Sequence, residues 1–159
     1  MLDADLPLWQ DVLRLVAAAI GGAVVGIERE SRDKPAGLRT HMLVSVGAAA
    51  VMLLSHDLCR EAIAIAESAG GEIRFDPLRT VAGVIGGIGF LGAGSIFKSQ
   101  GDVEGLTTAA TIWMAGAIGL TCGAGRWNIA VTTVVLALVI LSLIGWAERS
   151  VLKTKPRSD

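Results

Sequence analysis

The sequence predicts an all-α polytopic membrane protein: a bundle of about five transmembrane helices that pack through glycine-rich faces. Three observations predict it. Over half of the 159 residues are hydrophobic, tyrosine is absent and the mean hydropathy is +0.59, a composition that points to membrane before any motif is read. Uncharged runs that approach the roughly 30 Å thickness of the hydrocarbon layer recur along the chain. Those runs carry glycines four residues apart, the spacing that lets two helix backbones approach in lipid.

The chain is organised around residues 76–113. Between Arg79 and Lys98 lie eighteen uncharged residues. At about 1.5 Å each they nearly cross the hydrocarbon layer, leaving the two cations to anchor the ends. Gly83, Gly86, Gly87, Gly89, Gly92 and Gly94 fall in this run, and each costs a helix in water about 1 kcal/mol relative to alanine. In lipid the backbone has no other partner, so the helix persists, and its bare face invites a neighbour. Gly87-Ile88-Gly89-Phe90-Leu91-Gly92 also matches the dinucleotide pattern GxGxxG. That fingerprint needs a preceding strand, a following soluble helix and an acid about twenty positions on. Here the apolar run continues through the glycines, and Asp102 and Glu104 fall in the next turn, so nucleotide binding is rejected.

Taken in order, the first span covers residues 8–27. It follows an acidic N-terminus and precedes basic residues, the reverse of a cleavable signal peptide. Gly22 and Gly26 give it a small-residue face, and Arg14 either snorkels outward toward Asp11 or faces the bundle interior. Residues 28–41 hold Arg29, Arg32, Lys34 and Arg39, with Pro35 and Gly37 breaking the helix, which marks a cytoplasmic loop. The second span, residues 40–56, takes in Thr40 and His41. His41 reads as interfacial rather than a metal ligand, because no second histidine or carboxylate lies three or four positions away.

Residues 56–76 are acidic, with Asp57, Glu61, Glu67, Glu72 and Asp76 against Arg60 and Arg74. Leu58, Ala62, Ile65 and Ala66 predict a short amphipathic helix on the outer surface, ended by Gly70 and Gly71. The third span is residues 78–97, followed by a polar turn at 98–104. The fourth, residues 105–125, is small and hydroxylated along one side through Thr107, Thr108, Thr111, Gly116, Gly119 and Gly123. The fifth, residues 127–147, is rich in Val, Leu and Ile, and is read as lipid-facing between Trp127 and Trp146. Residues 1–149 thus form one transmembrane domain, and residues 150–159 a short basic cytoplasmic tail.

Counting cations by side sets the orientation. With the N-terminus outside, the cytoplasmic parts hold Arg29, Arg32, Lys34, Arg39, Lys98, Arg149, Lys153, Lys155 and Arg157, and the outer parts hold Arg60, Arg74, Arg79 and Arg126. The excess predicts N-out, five spans, C-in. Cys59 and Cys122 both fall near the outer face, where a disulfide is permitted. Isolated helix cysteines are more often small apolar residues.

No catalytic constellation is present: no GxSxG, no paired carboxylates in one span, no P-loop, no histidine with triad partners. Metal-ligand spacing and a basic stripe interleaved with aromatics are also missing, so no cofactor, metal, nucleotide or nucleic acid is expected. The polar groups cluster at helix ends. Glu28, Arg29 and Arg39 are expected to meet on the cytoplasmic side, and Asp76 and Arg79 at the outer end of the third helix. As structure, these are anchors and ion pairs. As function, Glu28 and Arg39 line a cytoplasmic vestibule to which Thr107, Thr108 and Thr111 add hydroxyls, although threonine also bonds its own helix backbone.

Three motifs in this order, GIERE with the following AGLRTH, then DPLRTVAGVIGGIGFLGAGSI, then GLTTAATIW, closely resemble the MgtC/SapB family of membrane proteins. The resemblance runs from about Arg14 to Gly123. It implies a bacterial inner-membrane protein whose relatives are associated with growth in low magnesium, survival inside macrophages and, in some members, restraint of the F-type ATP synthase by membrane contact. The older label of transport ATPase finds no nucleotide site here. By the same resemblance the signature residues are Gly26, Glu28 and Arg29, then Gly37, Leu38, Arg39 and Thr40. Asp76, Arg79, Gly87, Gly89, Phe90, Gly92, Ala93 and Gly94 follow, and then Gly105, Leu106, Thr108, Ala109, Ala110 and Trp113. Some members carry Asn at the position of Thr107 and Cys at that of Met114, so roles tied to those side chains do not transfer. Many members continue into a soluble ACT-like domain, whose role is expected to be absent here or supplied by another protein.

Two classes of function remain. The glycine faces offer more close-packing surface than a five-helix monomer needs. That favours a non-enzymatic regulatory protein that pairs with itself and with another membrane complex, surrounded by lipid. The rival is a small ion or solute transporter with Glu28, Arg39, Asp76 and the threonines along its path.

Overall fold

The computed structural model describes residues 7–69, 76–99 and 102–144. The acidic N-terminus, Gly70, Gly71, Glu72, Arg74, Trp146 and the basic tail with Arg149, Lys153, Lys155 and Arg157 lie outside the described residues. In order the chain forms α1 (Leu8–Glu30), α2 (Leu38–Ala69), α3 (Pro77–Gly94), a hairpin of β1 (Phe97–Ser99) and β2 (Asp102–Glu104), α4 (Leu106–Gly123) and α5 (Trp127–Val139). A π-helical turn, Ile140–Ile144, extends α5. Consecutive helices run antiparallel, and α4 sits at the centre, touching the other four.

The fold is apolar outside and small or polar inside. Ala18, Val25, Ala49, Ala115 and Ile118 are buried together with Arg29, His41, Ser45, Thr108 and Thr111, while Leu8, Trp9, Ile20, Leu43, Leu78 and Phe90 are exposed. Water would drive the reverse distribution, so this surface belongs in acyl chains. α1, α2 and α4 are each long and apolar enough to cross a membrane, and 78–94 and 127–143 are shorter apolar helices.

Several elements differ from the sequence reading. The amphipathic segment expected as a separate surface helix is the direct continuation of α2. No glycine or proline interrupts it after Gly47, so it reaches 32 residues, about 48 Å, well beyond a roughly 30 Å hydrocarbon layer. α3 starts where expected, with Asp76 as N-cap accepting from the Leu78 N–H at 3.0 Å. It stops at Gly94 rather than 97, because Ser95 Oγ donates to the Gly92 carbonyl at 2.7 Å and the next residues pair as the hairpin. Gly105 closes that turn at φ 87°, and a Cβ there would strike the Ser95 carbonyl. Only glycine fits.

The glycines divide into two groups. On α1, a Cβ at Gly26 would lie 2.7 Å from Leu38 Cα, and one at Gly22 would meet the His41 backbone and Ser45. On α4, Gly119 faces the Ser45 carbonyl, Gly123 would come 2.6 Å from the Ala49 carbonyl, and Gly116 receives Ile88 of α3. The glycines of the third helix, which could have turned either into the bundle or away from it, behave differently. A methyl group added at Gly83, Gly87, Gly89 or Gly94 would have nothing within 4 Å among the described residues, whereas Gly92, on the opposite and buried side of the helix, comes near Ala109. The reason lies in which partner supplies the small residue. α3 docks through Val81, Val84 and Ile88, and α4 provides the hole.

Candidate functional site

The polar groups of the bundle converge where the end of α1, the start of α2 and the start of α4 meet. The loop between α1 and α2 is held by Glu30, whose Oε2 accepts the Leu38 N–H at 2.7 Å and so caps α2 in place of a local N-cap side chain. Gly37 leaves room for that carboxylate, since a Cβ there would lie 2.8 Å from Oε2. The GIERE and AGLRTH motifs are thus two sides of one helix junction.

Inside the junction, Arg29 is 4% exposed, and its Nη2 donates to Thr108 Oγ1 at 3.1 Å. Thr111 donates to the Thr108 carbonyl at 2.9 Å, the backbone bond that its spacing allows. Beside them Glu28 meets Arg32, with Oε1 2.7 Å from Nε, but neither carboxylate oxygen has hydrogen-bond geometry to a described residue, so this is an ion contact rather than a directed bond. Arg32 Nη1 donates in turn to the Leu141 carbonyl at 3.1 Å, tying α1 to the π turn.

His41 is fully buried, which corrects the interfacial reading. Gly22 and Gly26 bring α1 onto it, and its Nδ1 lies 2.8 Å from the Gly37 carbonyl. A carbonyl only accepts, so Nδ1 carries the hydrogen, and in the neutral ring Nε2 is then a bare lone pair. Among the described residues Nε2, Ser45 Oγ one turn on, and Arg29 Nε have no hydrogen-bond partner.

The remaining expected site residues sit elsewhere. Arg39 is exposed and makes no ion pair among the described residues, so the expected vestibule of Glu28 and Arg39 is replaced by Arg29 pointing inward. A helix turns by 100° per residue, and Arg39 lies off the His41–Ser45 face. Thr40 is half-buried, and Thr107 and Trp113 are exposed while Thr108 and Thr111 are buried. Asp76 and Arg79 are both exposed; Asp76 spends its carboxylate on the cap and not on Arg79. Arg14 settles between its two readings: its Nη1 donates to the Gly123 carbonyl at 2.9 Å and caps the end of α4 from inside the bundle. Beside it Trp9, Gln10, Leu13, Arg14 and Trp127 line a cavity of about 240 Å³ at the opposite end of α1 from Glu28. Cys59 and Cys122 are free thiols.

Sequence reasoning missed His41, Ser45, Glu30 and Arg32. The pair His41 and Ser45, four apart within an apolar run, was the available signal, since one helix face then carries both. Nothing in local spacing could have revealed that Arg32 reaches Leu141, more than a hundred residues away.

The inverted burial pattern, the three membrane-length helices and the buried polar junction define a polytopic helical membrane protein. Within that class, the chain belongs to the MgtC family, whose model matches residues 15–150. It is 38% identical over 138 residues to protein MgtC of Brucella abortus strain 2308, covering 87% of this chain and 52% of that protein. It is 39% identical over 142 residues to protein MgtC of Salmonella typhimurium strain 14028s, covering 88% and 55%. It is 37% identical over 132 residues to YhiD of Escherichia coli K12, which carries a provisional magnesium-transporter name, covering 83% and 59%. The chain therefore spans between half and three-fifths of the length of these relatives. No solved structure matches it.

Proposed function

We propose that the chain is a non-enzymatic regulatory protein of the bacterial inner membrane, oriented N-out and C-in, that pairs with a second copy and with another membrane complex. The observation that carries this reading is the free glycine face of α3. Gly83, Gly87 and Gly94, which share one face, have no neighbour among the described residues, whereas the glycines of α1 and α4 all meet one. In lipid a glycine face gains nothing from acyl chains and much from a second helix, because attraction there comes from close packing. The family resemblance supplies the setting: adaptation to low magnesium, intracellular survival or virulence, and contact with a complex such as the F-type ATP synthase.

A second reading, a small ion or solute transporter, draws on the buried polar junction and on the name of the relative YhiD. For a cation, the charges oppose it: Arg29 and Arg32 face Glu28 alone, and the sum repels a divalent ion at short range. Two experiments separate the readings. Cysteines placed at Gly83, Gly87 and Gly94 should cross-link between chains in native membranes; failure at all three positions refutes pairing through α3. Purified protein in liposomes should carry no cation flux, and flux abolished by Glu28→Gln would overturn the regulatory reading in favour of transport.

A further inference from the structure

We infer that His41 Nε2 is a proton-binding site, and that its protonation loosens the seam between α1 and α2. This goes beyond pairing through α3 and does not depend on it.

Three observations carry it. The ring is completely buried, with Nδ1–H committed to the Gly37 carbonyl, so the only titratable position faces inward without a partner among the described residues. Ser45 Oγ, one turn on and also fully buried, is unpartnered as well. The seam around them has no slack, since Gly22 and Gly26 already bring α1 against the α2 backbone at His41 and Leu38. A proton occupies no more space than the lone pair it takes, whereas a larger guest would have to force those backbones apart. The step is a simple association: the Nε2 lone pair forms an N–H bond with a proton from water, and the ring gains one positive charge.

The charged surroundings of that ring then decide what the added charge does. From α1 come Glu28 and Arg29, whose charges both act on His41, with Arg32 held against Glu28. At the loop end Glu30 is engaged with the Leu38 N–H and is exposed. α2's own Arg39 is exposed. α4 presents the Thr108 hydroxyl that Arg29 holds, and its titratable residue, Cys122, sits at the helix's other end. An imidazolium is thus added where two guanidinium groups already face one carboxylate. Arg29 repels it, and Glu28, already against Arg32 through Oε1, can turn its unpartnered Oε2 toward it. Either response moves α1 relative to α2, because the glycines between them leave no cushion.

The chain contains two histidines, so His56→Gln leaves His41 as its sole imidazole. Nitrogen-15 NMR of that variant in nanodiscs should show an Nδ1-protonated neutral ring at pH 8 that gains the Nε2 proton on acidification to pH 5. Spin labels at the exposed Ile27 and Leu43 should report an α1–α2 distance that changes with the same midpoint. His41→Asn keeps a donor for the Gly37 carbonyl and removes the titrating nitrogen, so its distance should be independent of pH. A ring that stays neutral to pH 5 in folded protein overturns the inference, as does a ring whose titration leaves the distance unchanged. The ring measurement needs no substitution at position 41, so a misfolded Asn variant leaves the test intact.

Discussion

The α1–α2–α4 seam and the outer face of α3 are built from the same residue type and put it to opposite uses. In the seam, Gly22, Gly26, Gly119 and Gly123 are sites where a methyl group would run into backbone. On α3, Gly83, Gly87, Gly89 and Gly94 could each take a methyl without touching any described residue of this chain. Small residues in a membrane helix thus mark close approach, but whether the approach has happened inside the subunit is written in the neighbours, not in the glycines.

Substitution can break that comparison. The largest effect is expected at Gly119→Val, which pushes a branched side chain into the Ser45 carbonyl and Ala48. Because backbone cannot yield as a side chain can, the loss should reach or exceed about 3 kcal/mol. The matched Gly87→Val on α3 should change the stability of a monomer by no more than about 1 kcal/mol. Thermal unfolding of both variants in the same detergent reads the contrast; equal losses would erase the distinction between the two faces.

The next largest effect sharpens what the seam protects. Thr108→Val keeps the shape and strands a buried guanidinium nitrogen, a loss of about 1.5–3 kcal/mol. Arg39→Ala, on the exposed side of α2, should stay within about 0.5 kcal/mol. Denaturation of the purified variants measures both. Glu30→Ala removes the group that caps α2 and should cost about 1 kcal/mol, read in the same way. An effect similar to that of Glu30→Ala is expected at Ser55→Ala, which deletes the hydroxyl donating to Thr80 at 2.9 Å between α2 and α3, for about 0.5–1.5 kcal/mol. If that variant instead proves among the most damaging, α3 is anchored far more by one hydroxyl pair than by Val81, Val84 and Ile88.

Composition and run length made the helical membrane class legible, since lipid imposes both directly. The helix junction was legible in part. Glu28 and Arg29 were found as charges at a span's end, but their side chains diverge, and only the three-dimensional placement of Thr108 says which one turns inward. Arg39 was misassigned because proximity in sequence to the junction says nothing about helix phase. His41 was misread because a polar residue near a predicted membrane boundary normally sits in the interface. What buried it was Gly22 and Gly26 on a different helix. The end of α2 was misplaced for a simpler reason: acidic composition marks departure from lipid, not the end of a helix.

That overlong second helix has a mechanical consequence. Clamped as far as Ala49 and Met52 by Gly22, Gly26, Gly119 and Gly123, α2 runs on from Met52 to Ala69 as a stiff rod of about 26 Å. A tilt of about 5° at the clamp sweeps the far tip sideways by about 2 Å at that length. A disturbance at the buried fulcrum is therefore amplified into a displacement beyond the opposite leaflet, where a water-borne neighbour can feel it.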